Sequence, residues 1–349
     1  MIRIELGVED LANTRFGISP LAEVVLSLRA LVDPSQHTLH LPWLRAVRVQ
    51  LDAGDSQLLH SLVGPSRIPP DFRGTPSRAL PDFLTPRPAG FIPHIEDELA
   101  TVRATPPEIV RRDLRATHAP DPVPEPLQSV TRADKRATVR LLNAICEALH
   151  RYWASALSPS WSAMRLVLEA DTTYRARQLA TGGARQLFAD MHPNIRWSDG
   201  VLSITEMIGH HTVAADGRGL LLMPSIFAPK PVPPLDPGEP PFLTYPSRGI
   251  GTLWAPPPQA ELTALVDLLG HTRALLVQML DEPLPTVEIA RRLKVTPSAV
   301  SQHLQVLHAT GLVTRARDRR QVLYRRAPLG DQLIGNTDGR AGRGGGEVG

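Results

Sequence analysis

The sequence predicts a mainly α-helical fold with a small β component, an α+β chain of more than one domain. Three observations predict it. Apolar residues recur at helical spacing over most of the 349 positions. Short alternating runs of strand type are confined to two places, near residues 194–223 and 312–324. Two Pro-rich stretches, 118–128 and 228–241, interrupt the helical pattern. Apolar residues make up 42% of the chain and charged residues 21%, a balance that supports real cores and excludes global disorder.

The first region, 1–117, opens with a strand-like run, Ile2–Leu6. Amphipathic helices are expected over Leu21–Val32, Pro42–Leu51, Ile92–Ala104 and Pro107–Ala116. In the first of these, Leu21, Val24, Val25, Leu28 and Leu31 follow the spacing of a buried face. The Pro-rich stretch Ile68–Phe91 carries Phe72, Phe83 and Phe91, which predicts an ordered loop packed on the body. His118–Gln128 reads as a linker. A second region, 129–257, begins with a long helix over Thr131–Leu157 and another over Ser160–Leu179. Asn194–Trp197, Val201–Thr205 and Gly219–Met223 read as strands of a small antiparallel sheet, the first two joined by a tight turn at Ser198-Asp199-Gly200. Ala228–Pro241 reads as a semi-rigid connector or surface loop. A compact helical region follows over 258–334, and the Gly-rich tail 335–349 has nothing to bury.

The carboxy-terminal region carries the chemistry. Two helices around Leu262–Leu269 and Arg273–Leu280 precede a third that starts at Thr286, a plausible N-cap, and ends near Leu293. After Lys294-Val295, Thr296 caps the next helix and Pro297 occupies its first position, where the missing N–H costs nothing. Val300, Leu304 and Leu307 should point inward, and Ser298, Ser301, Gln302, Gln305 and His308 outward, until Gly311 ends the helix. Short polar groups on the first turns suit a helix that enters the major groove, where Gln pairs with adenine and Ser serves either partner. Leu312–Thr314 and Val322–Tyr324 form a hairpin with Arg315, Arg317, Arg319 and Arg320 at or near its tip, placed for phosphates or the minor groove. The whole is a winged helix-turn-helix that reads duplex DNA.

Charge agrees. From Thr286 to Arg326 nine Arg or Lys face only Glu288 and Asp318, so this segment is +7 in a chain of net charge +3. A basic patch on a mildly acidic body is the footprint of a phosphate contact. The single cysteine, Cys146, excludes an internal disulfide and a thiolate cluster. The absence of a signal-like start or a long apolar run predicts a cytoplasmic protein with no membrane association. Elsewhere, Trp153, Trp161, Tyr174 and Trp197 could line a ligand pocket, although large aromatics more often fill space. His210-His211, the Cys146/His150 pair, His303 and the Glu169/Asp171 pair are better read as structural or surface residues than as metal or catalytic sites. No GxSxG, Walker or Rossmann pattern appears. The expectation is therefore no metal, no cofactor and no enzymatic activity.

The residues LVDLLGHTRALLVQML (265–280), TVEIARRL (286–293), TPSAVSQHLQVLHATGLV (296–313) and QVLYRRAPLGDQLI (321–334) resemble the ArsR-type family of bacterial winged-helix regulators. The resemblance implies a homodimer on a partly palindromic operator, with DNA released by a signal. It carries recognition roles onto Ser298, Ser301, Gln302 and His303. It also implies no metal sensing in this region, because the helix 286–293 lacks cysteines and Asp331 has no histidine companions. The Pro that commonly precedes the Arg of the second helix is replaced by His271-Thr272. In front, PDFLTPRP (81–88), Trp161 with Glu169 and Asp171, the run Ala180–Gly183 and YPSRGIGTLW (245–254) resemble an uncharacterised extension of some actinobacterial ArsR-type regulators. That resemblance supplies no activity. The functional expectation is a transcriptional regulator, acting as a repressor, whose amino-terminal part senses a small-molecule effector. The alternative is an enzyme or ligand-binding protein with an attached autoregulatory DNA-binding domain.

Overall fold

Helix formation in this chain is governed by capping and by continuous apolar burial, and both are clearest near the amino terminus. The structure, a computed structural model, describes residues 1–48, 52–66, 78–131, 134–207, 210–233, 240–254, 262–318 and 321–334. It divides into two units, Met1–Trp254 and Ala255–Gly349.

The first unit starts with β1 (Ile2–Glu5), α1 (Val8–Ala12) and β2 (Arg15–Phe16). Then α2 (Pro20–Val32) begins at Ser19, whose hydroxyl accepts from the Ala22 N–H at 2.9 Å. Residues Pro20 to Leu31 of α2 are all buried, so it is a central helix rather than a surface one. Around it lie α3 (Leu41–Arg48), α4 (Ala53–Ser61), α5 (Ile95–Arg103), α6 (Pro107–His118) and α7 (Lys135–Tyr152). Helix α4 is absent from the sequence reading, its apolar residues being too few to show a periodic face. A single core joins these helices, with Leu28, Leu59, Leu99, Leu114, Ile145 and Leu149 among its buried members. After a π-helical turn at Trp153–Leu157, α8 (Trp161–Ala189) continues well beyond the expected Leu179 and bends at Gly183, where φ is +64°. Its last turns, with Leu187 and Phe188, pack in a second core against the strands.

Five strands follow, β3 (Ile195–Ser198), β4 (Val201–Ile204), β5 (His211–Ala214), β6 (Leu221–Ser225) and β7 (Phe242–Pro246). The β3–β4 hairpin forms as expected, with Asp199 and Gly200 both at positive φ, as a two-residue turn requires. The single antiparallel sheet does not. One sheet has the order β3-β4-β1-β5, with β1 and β5 parallel, and a second has the wholly parallel order β2-β6-β7. Strand β6 is buried at all five positions, the signature of a parallel strand covered on both faces.

The expected linker 118–128 separates nothing. His118, Val123 and Leu127 are buried, and the segment belongs to the first unit's core. Proline there shapes a packed crossing. Ala228 and Lys230 of the second Pro-rich stretch are likewise buried, and Val232 exchanges backbone hydrogen bonds with Thr244 of β7 at 2.7 and 3.1 Å. Of the three phenylalanines in 68–91, Phe83 is buried, Phe91 is exposed and Phe72 lies outside the described residues.

The second unit contains α9 (Leu262–Leu269), α10 (His271–Met279), β8 (Leu284–Pro285), α11 (Thr286–Leu293), α12 (Pro297–Ala309), β9 (Val313–Asp318), β10 (Gln321–Arg326) and α13 (Pro328–Ile334). Its strands form one sheet in the order β8-β10-β9. Leu276, Leu280, Ile289, Val300, Leu304 and Tyr324 belong to its own core. Thr286 is the first helical residue of α11 and Pro285 is its cap, one position before the expected one. The tail 335–349 and the hairpin tip, with Arg319 and Arg320, lie outside the described residues. Among the described residues no helix is long and apolar enough to cross a membrane.

Candidate nucleic-acid interface

Two helices and a hairpin assemble the site. Helix α11 ends at Lys294, in the left-handed conformation at φ +55°, and the Val295 N–H bonds back to the Ala290 carbonyl at 3.1 Å. A non-glycine residue tolerates this region at a cost of roughly 1 kcal/mol. Thr296 then caps α12 as expected, its hydroxyl accepting from the Ala299 N–H at 3.3 Å. At the far end Gly311, at φ +74°, lets the Leu312 N–H reach the Leu307 carbonyl at 2.9 Å.

Burial of Val300, Leu304 and Leu307 sets the rotation of α12. The opposite stripe carries Ser298, Ser301, Gln302 and Gln305, at i, i+3, i+4 and i+7. Ser298, Gln302 and Gln305 are exposed and Ser301 is half-buried. His303 is half-buried and lies off this stripe, so it is the weakest of the recognition candidates. Thr296 and His308 are exposed at the two ends.

The hairpin pairs Arg317 with Val322 and Arg315 with Tyr324. Arg315 and Arg317 stand two apart on β9, so they share one face, and both are exposed. The basic segment is less free than its composition suggests. Glu288 accepts from Arg291 at 2.7 and 2.8 Å and from Arg292 at 2.8 Å, and these two guanidinium groups lower its pKa to about 2. Arg326 is buried, donates to the carbonyls of Val277 (3.0 Å) and Gln278 (3.3 Å), and pairs with Asp331. It ties the hairpin to α10 and does not belong to the basic face. Asp331, which has no histidine companion in the sequence, is its partner. Lys294, Arg315, Arg317 and Arg325 are exposed and have no carboxylate partner among the described residues.

The proposed aromatic pocket is not assembled. Trp153 and Trp161 meet edge to face at 5.1 Å between centroids and pack on the helical core. Trp197 lies against Phe188 at 5.5 Å in the other core. Tyr174 donates to Asp190 at 3.0 Å and carries the Arg248 guanidinium 3.6 Å above its ring. These rings lie at separate places, and Trp161 lines a cleft with Phe91, Ile92, Pro93, His94, Arg165 and Glu169 rather than with the other three.

Glu169 and Asp171 also diverge. Glu169 pairs with Arg165 at 2.8 Å on the surface, whereas buried Asp171 accepts from the Tyr245 hydroxyl at 2.9 Å and the Arg248 N–H at 3.2 Å. Beside it Arg175 is fully buried and pairs with Asp190. The i, i+4 spacing of Asp171 and Arg175 was the available signal for this network. Cys146 is buried in the helical core, and burial raises its pKa to about 11, while His150 is exposed 3.6 Å from Glu96. His211 lies on β5.

Residues 272–315 match the model of the bacterial regulatory protein, arsR family. Two curated relatives, the HTH-type transcriptional repressors SmtB of Mycobacterium tuberculosis strains CDC 1551 / Oshkosh and ATCC 25618 / H37Rv, are each 38% identical to this chain over 81 residues. The match covers 22% of this chain and 60% of each relative. No solved structure matches the chain. The carboxy-terminal unit thus carries an ArsR-type helix-turn-helix, and the amino-terminal unit has no counterpart in the matched family model.

Proposed function

We propose that this chain is a duplex-DNA-binding transcriptional regulator, acting as a repressor in the cytoplasm. A homodimer would place one α12 in each of two successive major grooves of a partly palindromic operator, about 34 Å apart. The observation that carries this reading is the polar stripe Ser298, Ser301, Gln302 and Gln305 on a capped helix, together with the exposed Arg315 and Arg317 of β9. The stripe supplies hydrogen-bonding groups for base edges, and the arginines supply phosphate contacts. The similarity to SmtB, named a transcriptional repressor, supports repression as the outcome. The first unit is the effector-sensing part, and its ligand state shifts the population of DNA-competent dimers.

The test is binding to the DNA upstream of the protein's own coding region, followed by fluorescence anisotropy and located by footprinting. Affinity for the protected site should exceed that for a scrambled duplex by about a thousandfold or more. Equal affinities would overturn the reading.

A further inference from the structure

A cleft of about 320 Å³ opens in the first unit, where α2, residues 78–85, α6 and residues 230–233 converge. At about 30 Å³ per molecule this is room for roughly ten waters, the lower end of the range for small-molecule sites. Leu26, Leu80, Pro81 and Val232 give it apolar walls. The Val232–Thr244 backbone pair holds one wall to β7.

Three cations line the same cleft, Arg29, Arg78 and Lys230. Arg29 and Lys230 are only 8% and 6% exposed. The Arg29 Nε donates to the Arg78 carbonyl at 2.8 Å, but its buried Nη1 has no hydrogen-bond partner among the described residues. The two lining carboxylates are not placed to satisfy it. Asp82 is exposed, and Asp113 accepts from the Phe83 N–H at 3.1 Å and from Arg112 at 2.9 Å. Burial lowers the pKa of Arg29 to about 10, and burial followed by the Arg29 charge lowers that of Lys230. Two buried cations that disfavour each other in a partly apolar cleft are stabilised by an incoming anion. Arg78 is paired with Asp33 at 3.8 Å, and the Glu206 carboxylate acts on Lys230 in the opposite sense to Arg29, so the unmatched group is the Arg29 guanidinium.

We propose that this cleft binds a small organic acid, its carboxylate held by Arg29 with Lys230 beside it and its apolar body lying against Leu26, Leu80 and Val232. That such an acid is the effector rests on the DNA-binding reading above; that it binds does not.

Calorimetry on the full-length protein tests the site, with octanoate and phenylacetate as probes and their neutral amides, octanamide and phenylacetamide, as controls. At least one acid should bind about tenfold or more tightly than its amide, as loss of a charge-assisted hydrogen bond predicts, and should raise the melting temperature. Lys230→Met should weaken acid binding by about tenfold or more and leave amide binding unchanged. It is the principal variant because Arg29 lies within the buried α2, where substitution also costs folding stability. Leu80→Trp, which fills the cleft, should weaken acid and amide alike. Acids and amides binding equally, no acid binding more tightly than a Kd of about 10 mM, or a Lys230→Met protein with unaltered acid affinity would each overturn the site. Acid binding without change in operator affinity would overturn only the effector role. A protein that ignores DNA would sink the regulator reading and leave the calorimetric result standing.

Discussion

The exposed face of β9 makes a quantitative prediction about salt. Each phosphate neutralised by a cation releases counterions, so the log of affinity falls with the log of salt by about 0.9 per contact. Four exposed cations of the chain lack a described carboxylate partner, namely Lys294, Arg315, Arg317 and Arg325. One phosphate apiece gives a slope of about −3.6 per chain and about −7 for the proposed homodimer. Arg315→Ala together with Arg317→Ala removes half of these contacts and should bring the dimer slope to about −3.6. From 50 to 200 mM KCl the unmodified protein should then lose affinity by about 10⁴-fold and the double variant by about 10²-fold. Any contacts from Arg319 and Arg320 are common to both proteins and cancel in the difference. The assay is fluorescence anisotropy over that salt series, on the operator and on a scrambled duplex. Both side chains are exposed, so melting should be nearly unchanged. A double variant with the parental slope, or a parental slope shallower than about −2, would refute the phosphate-contact argument.

Three further predictions test separate parts of the structure. Gln302→Ala should cost about 1–3 kcal/mol of discrimination at one operator base pair while leaving the salt slope intact, as a panel of single-base operator variants would measure. Asp331→Asn removes the anionic partner of buried Arg326 and should destabilise the second unit by about 2 kcal/mol in urea unfolding, Arg326 keeping its bonds to the Val277 and Gln278 carbonyls. Glu23 and Glu98 have pKa values raised by burial to about 8 and about 7. The folded state therefore holds more protons than the unfolded state from about pH 4.5 upward, and stability falls as pH rises toward 8. His40, lowered by burial to about 4, acts oppositely and removes stability as pH falls below about 6.5. Thermal melts from pH 4 to 9 should show a mildly acidic optimum, and Glu23→Gln should flatten the alkaline side; an unchanged alkaline limb would count against a neutral Glu23.

What was legible in the sequence was local. The cap, the turn and the polar stripe of α12 are set by residues within about fifteen positions of one another, and the structure places them as the spacing predicts. The Asp199-Gly200 hairpin is legible for the same reason. What was not legible depends on partners far along the chain. His118–Gln128 reads as a break because proline excludes regular helix, yet Val123 and Leu127 are buried against helices that no local pattern identifies as their neighbours. Gly219–Met223 alternates too little to reveal that its partners are β2 and β7, one of them some two hundred positions earlier.

The same limit hid the cleft and bears on what the first unit is for. Glu23 and Arg29 sit among Leu21, Val24, Val25, Leu28 and Leu31, and a periodicity reading keeps the apolar face and assigns the charges to water. In the fold α2 has no water face. Glu23 instead accepts the Ile226 N–H at 3.0 and 3.2 Å, which ties α2 to the turn after β6. Arg29, two turns along, is left beside Lys230, four residues past that contact. A helix buried on every side that still carries a glutamate and an arginine has kept polar groups at positions where an apolar residue would pack more cheaply. The glutamate is accounted for by the backbone it holds; the arginine holds the Arg78 carbonyl through Nε, and its Nη1, without a hydrogen-bond partner among the described residues, is the group that the proposed acid would satisfy.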